Sequence, residues 1–163
     1  MDTTEVLDKL LRSFEAYYNV KRDGAEAPFV AEAEFSLHDA QYFLVKSVRL
    51  GEADSKEYVY FATVDTLDAD TLRDLDETAW TRGSSRVVLH PNHKNTDVTL
   101  IVLADQIEKE AFSLVPKLRH HKSYSFGFRG WSNYRLIAVE LSSRRMAYNR
   151  QGQSLKKLVS NII

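Results

Sequence analysis

The chain has 163 residues, 44% hydrophobic and 28% charged, with a formal net charge of −1, which is enough for one domain with its own core and too apolar for disorder. It contains no cysteine, so disulfides, thiolate catalysis and cysteine-ligated zinc or iron–sulfur centres are excluded together. The start, MDTTEVLDKLL, has neither the cationic opening nor the apolar stretch of a signal peptide, and no run approaches the roughly 20 apolar residues of a membrane span. A single cytoplasmic domain without membrane contact is expected.

Asp2, Thr3 and Thr4 are candidate helix caps, and the apolar residues Val6, Leu7, Leu10, Leu11, Phe14, Tyr17 and Tyr18 then recur at the spacing of one helical face. Arg22-Asp23-Gly24 and Pro28 read as a turn. From Phe29 the period changes to two, with Ala31, Ala33, Phe35 and Leu37 inward and Glu32, Glu34 and Ser36 outward. His38-Asp39-Ala40 would turn into a second strand, Tyr42 to Leu50, and a third follows from Glu57 to Val64, giving an antiparallel meander. Asp68 or Thr66 can cap a second helix carrying Leu67, Leu72, Leu75 and Ala79, with Gly83 near its end. Val87 to Leu89 reads as a short strand. VTLIVLA, residues 98–104, reads as a strand covered on both faces. Asp105 to Glu108 has capping-box spacing ahead of a third helix through Ile107, Ala111, Leu114, Val115 and Leu118, shortened by Pro116. Strands at about 123–128 and 133–141, a short strand near Met146 to Tyr148 and a helix after Gly152 complete the order. The expected fold is therefore α/β, a central mixed sheet with helices on both faces, in the order α-β-β-β-α-β-α-β-β-(β)-α.

The near-zero net charge hides an asymmetry. Residues 1–116 hold 22 acids against 12 Lys and Arg, whereas residues 117–163 hold 10 Lys and Arg against one acid, Glu140. Aromatic residues are interleaved with that basic tail, a pattern that fits a polyanion such as nucleic acid or an acidic protein surface. The candidate binding residues are Phe128, Arg129, Trp131, Arg144, Arg145 and Arg150. Part of the asymmetry has a local explanation, since Lys117, Arg119, His120, His121 and Lys122 would follow a helix C-terminus whose dipole favours cations. Mutual neutralisation within one fold would account for more. The leading expectation is a non-enzymatic binding or interaction domain with no cofactor; self-association as a closed dimer is a further reading.

Lys46 would stand opposite Ala33 on the apolar face in one strand register and opposite Glu34 in the other. One helix, a three-strand meander, a second helix and a buried strand over residues 4–104 resemble the αβββαβ core of the restriction-endonuclease-like family, known for PD-(D/E)XK nucleases. The resemblance implies metal-dependent cleavage of nucleic acid, with an Asp on the second strand and a Glu on the third, two residues before a Lys. Here the second strand offers Lys46 and Arg49 but no acid, and the third reads Lys56-Glu57-Tyr58-Val59, with Val59 in the lysine's place. A divergent nuclease-like enzyme would draw on Lys46, Glu34 and Glu32. His90, His93 and Asp97 are weak candidates for metal ligands, carried by a Pro- and Asn-containing loop.

Overall fold

The structure, a computed structural model, describes residues 2–36, 54–87, 93–127 and 130–163. The first helix, α1 (Thr3–Phe14), starts where Asp2 accepts a hydrogen bond from the Glu5 amide at 2.8 Å. It buries Val6, Leu7, Leu10, Leu11 and Phe14, while Tyr17 lies beyond its end and is exposed. A short strand, β1 (Asn19–Lys21), pairs antiparallel with β2 (Ala31–Ser36), which pairs antiparallel with β3 (Asp54–Leu67). Helix α2 (Ala69–Ser85) is capped by Asp68, whose carboxylate accepts from the Thr71 amide at 2.7 Å. It leads into β4 (His93–Ile107), then α3 (Lys109–Leu114), a 3-10 turn at 115–117 and β5 (His121–Ser123). The chain ends with β6 (Trp131–Glu140), β7 (Arg145–Tyr148), a 3-10 turn at 151–155 and α4 (Lys156–Ile162).

These strands form one seven-stranded mixed sheet in the order β1-β2-β3-β4-β6-β5, with β7 also on β6. β3, β4 and β6 are parallel neighbours, and the 98–104 run of β4 lies between the other two with both faces covered. The two parallel crossovers advance the same way across the sheet, so a uniform hand puts α2 and α3 on one face. There they cover Tyr58, Tyr60, Leu100, Val102, Tyr134 and Leu136. On the other face α1 and α4 cover Val59, Phe61, Ile101, Leu103, Ile137 and Val139. The expected α/β architecture, a mixed sheet with helices on both faces, is observed. No helix among the described residues is long and apolar enough to cross a membrane.

Three local expectations are corrected. The meander is formed by β1, β2 and β3, because Ala33 has Val20 on one side and Val59 on the other. Both edges of β2 are thereby occupied by described strands; residues 42–50, with Lys46, lie outside the described residues, as do Val88 and Leu89. Asp105 is not a helix cap. β4 runs on to Ile107, whose amide donates to Glu140 Oε2 at 2.7 Å, and the residue before α3 is Glu108, which makes no side-chain cap bond. Finally, the helical segment ends at Lys117, so His121 and Lys122 belong to β5 and fall outside the reach of a helix dipole, which fades within one turn.

Candidate anion-binding site

The edge of β6 is paired in two pieces. β5 pairs with its start, His121 opposite Asn133, and β7 pairs with its end, Tyr148 opposite Ile137. Between them the edge has a notch, which the side chain of Asn149 fills in the manner of a strand. Its Oδ1 accepts from the amides of Leu136 at 3.0 Å and Gly152 at 2.8 Å. Its amide nitrogen donates to the carbonyls of Leu118 at 2.9 Å and Tyr134 at 3.2 Å. Close packing accompanies these bonds, since a Cβ on Gly152 would lie 2.1 Å from the Leu136 carbonyl oxygen.

Outside Asn149 lies a cavity of about 290 Å³ bordered by Arg119, His120, His121, Asn133, Tyr134 and Arg150. It wraps around the sheet edge. His120 packs on the α2 side, where its Nε2 is 2.9 Å from Asp76 Oδ2 and its ring stacks on Trp80 at 5.2 Å and 11°. Tyr134 meets the same imidazole edge-on at 4.9 Å. Burial, reinforced by the nearby Asp76, drives the Tyr134 hydroxyl well above its ordinary pKa, so it stays protonated. On the α1 side His121 Nδ1 lies 2.9 Å from Asn133 Oδ1. Arg119 and Arg150 are exposed, and neither forms an ion pair with a described carboxylate. Two arginines on a concave surface, neither paired with a described carboxylate, are suited to an anionic ligand.

Beyond β5, the turn at 125–127 carries Phe126, fully exposed and held at φ 55° between Ser125 at 50° and Gly127 at 90°. Consecutive left-handed residues other than glycine are strained and concentrate at functional sites. The turn is closed by bonds from Tyr124 N to Gly130 O at 2.9 Å and from Gly127 N to Tyr124 O at 2.9 Å. Trp131, also exposed, opens β6 opposite Ser123. Lys122 is exposed between these aromatics and the cavity.

The sequence-derived binding residues do not share one surface. Phe128 and Arg129 lie outside the described residues. Trp131 is at the start of β6 and Arg150 at the notch, but Arg144 and Arg145 are at the far end of the strand, about 30 Å from Trp131 at the usual rise per residue. Arg145 is occupied there: it donates to Glu140 Oε1 at 3.0 Å and its guanidinium lies 4.6 Å over the Phe112 ring. Arg119, His120, His121 and Phe126 were not among the candidate binding residues. Their signal lay in the basic, aromatic composition of the tail, but the helix-dipole explanation set the first three aside.

A second polar group lies inside the α1-facing side of the sheet. Glu57, Asp97 and Asn133 form one row across β3, β4 and β6, with Val59, Thr99 and Arg135 in the next. Arg135 donates to Asp97 Oδ2 at 2.9 Å and to Glu57 Oε2 at 3.4 Å. Glu57 also accepts from Thr99 Oγ1 at 2.5 Å and from the Tyr18 hydroxyl. Burial raises the Asp97 carboxyl above its ordinary pKa, against the pull of Arg135 and with the help of Glu57. One cation of the basic tail is thus neutralised by two acids from the acidic part, which ties the end of α1 to the three central strands. Asp97, a metal candidate, is engaged in this ion pair. His90 and the side chain of His93 lie outside what the structure describes. Glu32 and Glu34, the catalytic candidates, point to the opposite face and each accept from Arg86 at 3.3 Å, beside the Tyr58 ring. Lys46 lies outside the described residues. Among those described, no group of three or more His, Asp or Glu side chains is arranged to hold a metal ion.

No curated protein and no solved structure matches the chain. Residues 2–161 match the family model described as a domain of unknown function, DUF8052. That match spans nearly the whole chain and includes every residue of the notch, so the protein belongs to the DUF8052 family.

Proposed function

We propose that the chain is a non-enzymatic binding domain that holds single-stranded nucleic acid along the β5–β6 edge. The observation that carries the reading is the joining, on one edge, of cations lacking described carboxylate partners, Arg119 and Arg150, to exposed aromatics, Trp131 and Phe126. Cations that follow a phosphate backbone and rings on which bases stack are the two ingredients of sequence-tolerant strand binding. An acidic protein surface would use the charges alone and gives no reason to display Phe126 at a strained turn. The nuclease-like alternative is less well supported, because Glu32 and Glu34 are engaged with Arg86 and Glu57 and Asp97 with Arg135.

Fluorescence anisotropy with labelled single-stranded oligonucleotides tests the reading. Affinity should fall steeply with salt, and Arg119→Glu or Arg150→Glu should weaken it strongly. Phe126→Ala or Trp131→Ala should each remove about 1–3 kcal/mol, the worth of one base–aromatic stack. Charge reversal at Arg144 and Arg145 together should do much less, because they lie at the other end of β6. An absence of binding at low salt, or equal losses from the two ends of the strand, would overturn the proposal.

A further inference from the structure

The notch is lined on three sides. β5 bounds one flank through the pairing of His121 with Asn133, and the chain at Asn149 and Arg150 bounds the other. The inner wall is Tyr134 and His120, backed by the α2 side of the core. The recess is thus bounded on two flanks and at its back and is open to solvent in front. The volume of about 290 Å³ is at the lower limit of ordinary ligand sites, roughly 300–1,000 Å³. It accommodates a small charged group with little else.

The side chains at the notch match a group with more than one negative charge. Arg119 and Arg150 each bring a guanidinium, the donor fork that grips phosphate oxygens in pairs. His120 is fixed from behind rather than left to rotate. Asp76, only 5% exposed, holds Nε2, and Trp80 lies flat against the ring. The other ring nitrogen of His120, Nδ1, has no described hydrogen-bond partner. The Tyr134 hydroxyl and Asp76 carboxylate are buried near each other behind the ring.

We infer that the notch is a receptor for a terminal phosphate, a phosphomonoester held between Arg119 and Arg150 with His120 as the third donor. A monoester has three terminal oxygens and up to two charges to offer three donors, whereas an internal diester has two free oxygens and one charge. The inference rests on the proposed function for the source of the phosphate: the strand end sits in the notch and its following bases run along β5 toward Trp131 and Phe126.

The test uses the full chain and three probes: single-stranded oligonucleotides with a phosphorylated or hydroxyl 5′ end, the same pair at the 3′ end, and phenyl phosphate. A phosphorylated end should bind about tenfold tighter or more than its hydroxyl counterpart, a difference that one good charge-assisted contact supplies. Arg119→Gln and Arg150→Gln, both at exposed positions, should abolish that preference with unchanged thermal melting, and Asp76→Asn should reduce it. Equal affinity for phosphorylated and hydroxyl ends would overturn the receptor and leave the strand-binding edge intact. Binding of phenyl phosphate without binding of any oligonucleotide would overturn the strand-binding edge and keep the phosphate receptor. Failure of every probe would overturn both.

Discussion

Asn149 offers the sharpest test of how the notch is built. It is 1% exposed, and its side chain makes four hydrogen bonds, two accepted and two donated, all to backbone groups. Asn149→Ala would leave the amides of Leu136 and Gly152 and the carbonyls of Leu118 and Tyr134 without those partners. At a net worth of about 0.5–1.5 kcal/mol per bond the loss is about 2–6 kcal/mol. The adjoining cavity admits water to some of these groups, which places the expectation in the lower half of that range, about 2–4 kcal/mol. For a domain of this size that is a drop in Tm of about 5–15 °C. Urea unfolding, read by tryptophan fluorescence, measures it directly, and the m-value should not change. Asn149→Asp separates hydrogen bonding from packing: it keeps the volume and the accepting oxygen but turns a second oxygen toward two carbonyls, and should cost at least as much. A loss below about 1 kcal/mol for Ala, or wild-type stability for Asp, would refute the assignment.

Two further substitutions probe the body of the fold. Gly83 lies in α2 where an added Cβ would come within 2.5 Å of Val98 Cγ2, so Gly83→Ala gains about 1 kcal/mol of helix propensity but loses more to overpacking. It should therefore destabilise the wild type and stabilise a Val98→Ala background; the same effect in both would contradict the close approach. Asp97→Asn tests the polar cluster by its pH dependence. The folded carboxyl is raised above 3.8, so its contribution is full below that value and is lost as pH rises through the folded pKa. The Asn variant should accordingly gain on the wild type as pH rises above the ordinary carboxylate range, and thermal melts showing a flat or opposite trend would exclude a raised pKa.

The sequence alone determined whatever depends on near neighbours. Asp2 and Asp68, each one of the caps that the sequence offered, the apolar face of α1 from Val6 to Phe14 and the doubly covered strand at 98–104 are observed where periodicity and capping chemistry put them. The same local reasoning misassigned Asp105, because a capping-box spacing cannot register that Glu140, a residue of another strand, takes the Ile107 amide and prolongs β4. It missed β1 because three residues are too few to display a period.

Tertiary structure alone decided which polar residues meet. Glu57, Asp97 and Asn133 share a row because the crossovers through α2 and α3 set the register of three parallel strands, and no pattern within any one strand encodes that register. Asp76 reaches His120 across 44 positions, and β7 turns back along β6 to bring Arg150 to the notch while Arg144 and Arg145 stay at its far end. The basic tail was legible as composition. Its division into an interior ion pair, a neutralised turn and an open notch came from strand direction and register, which are fixed by contacts distant in sequence.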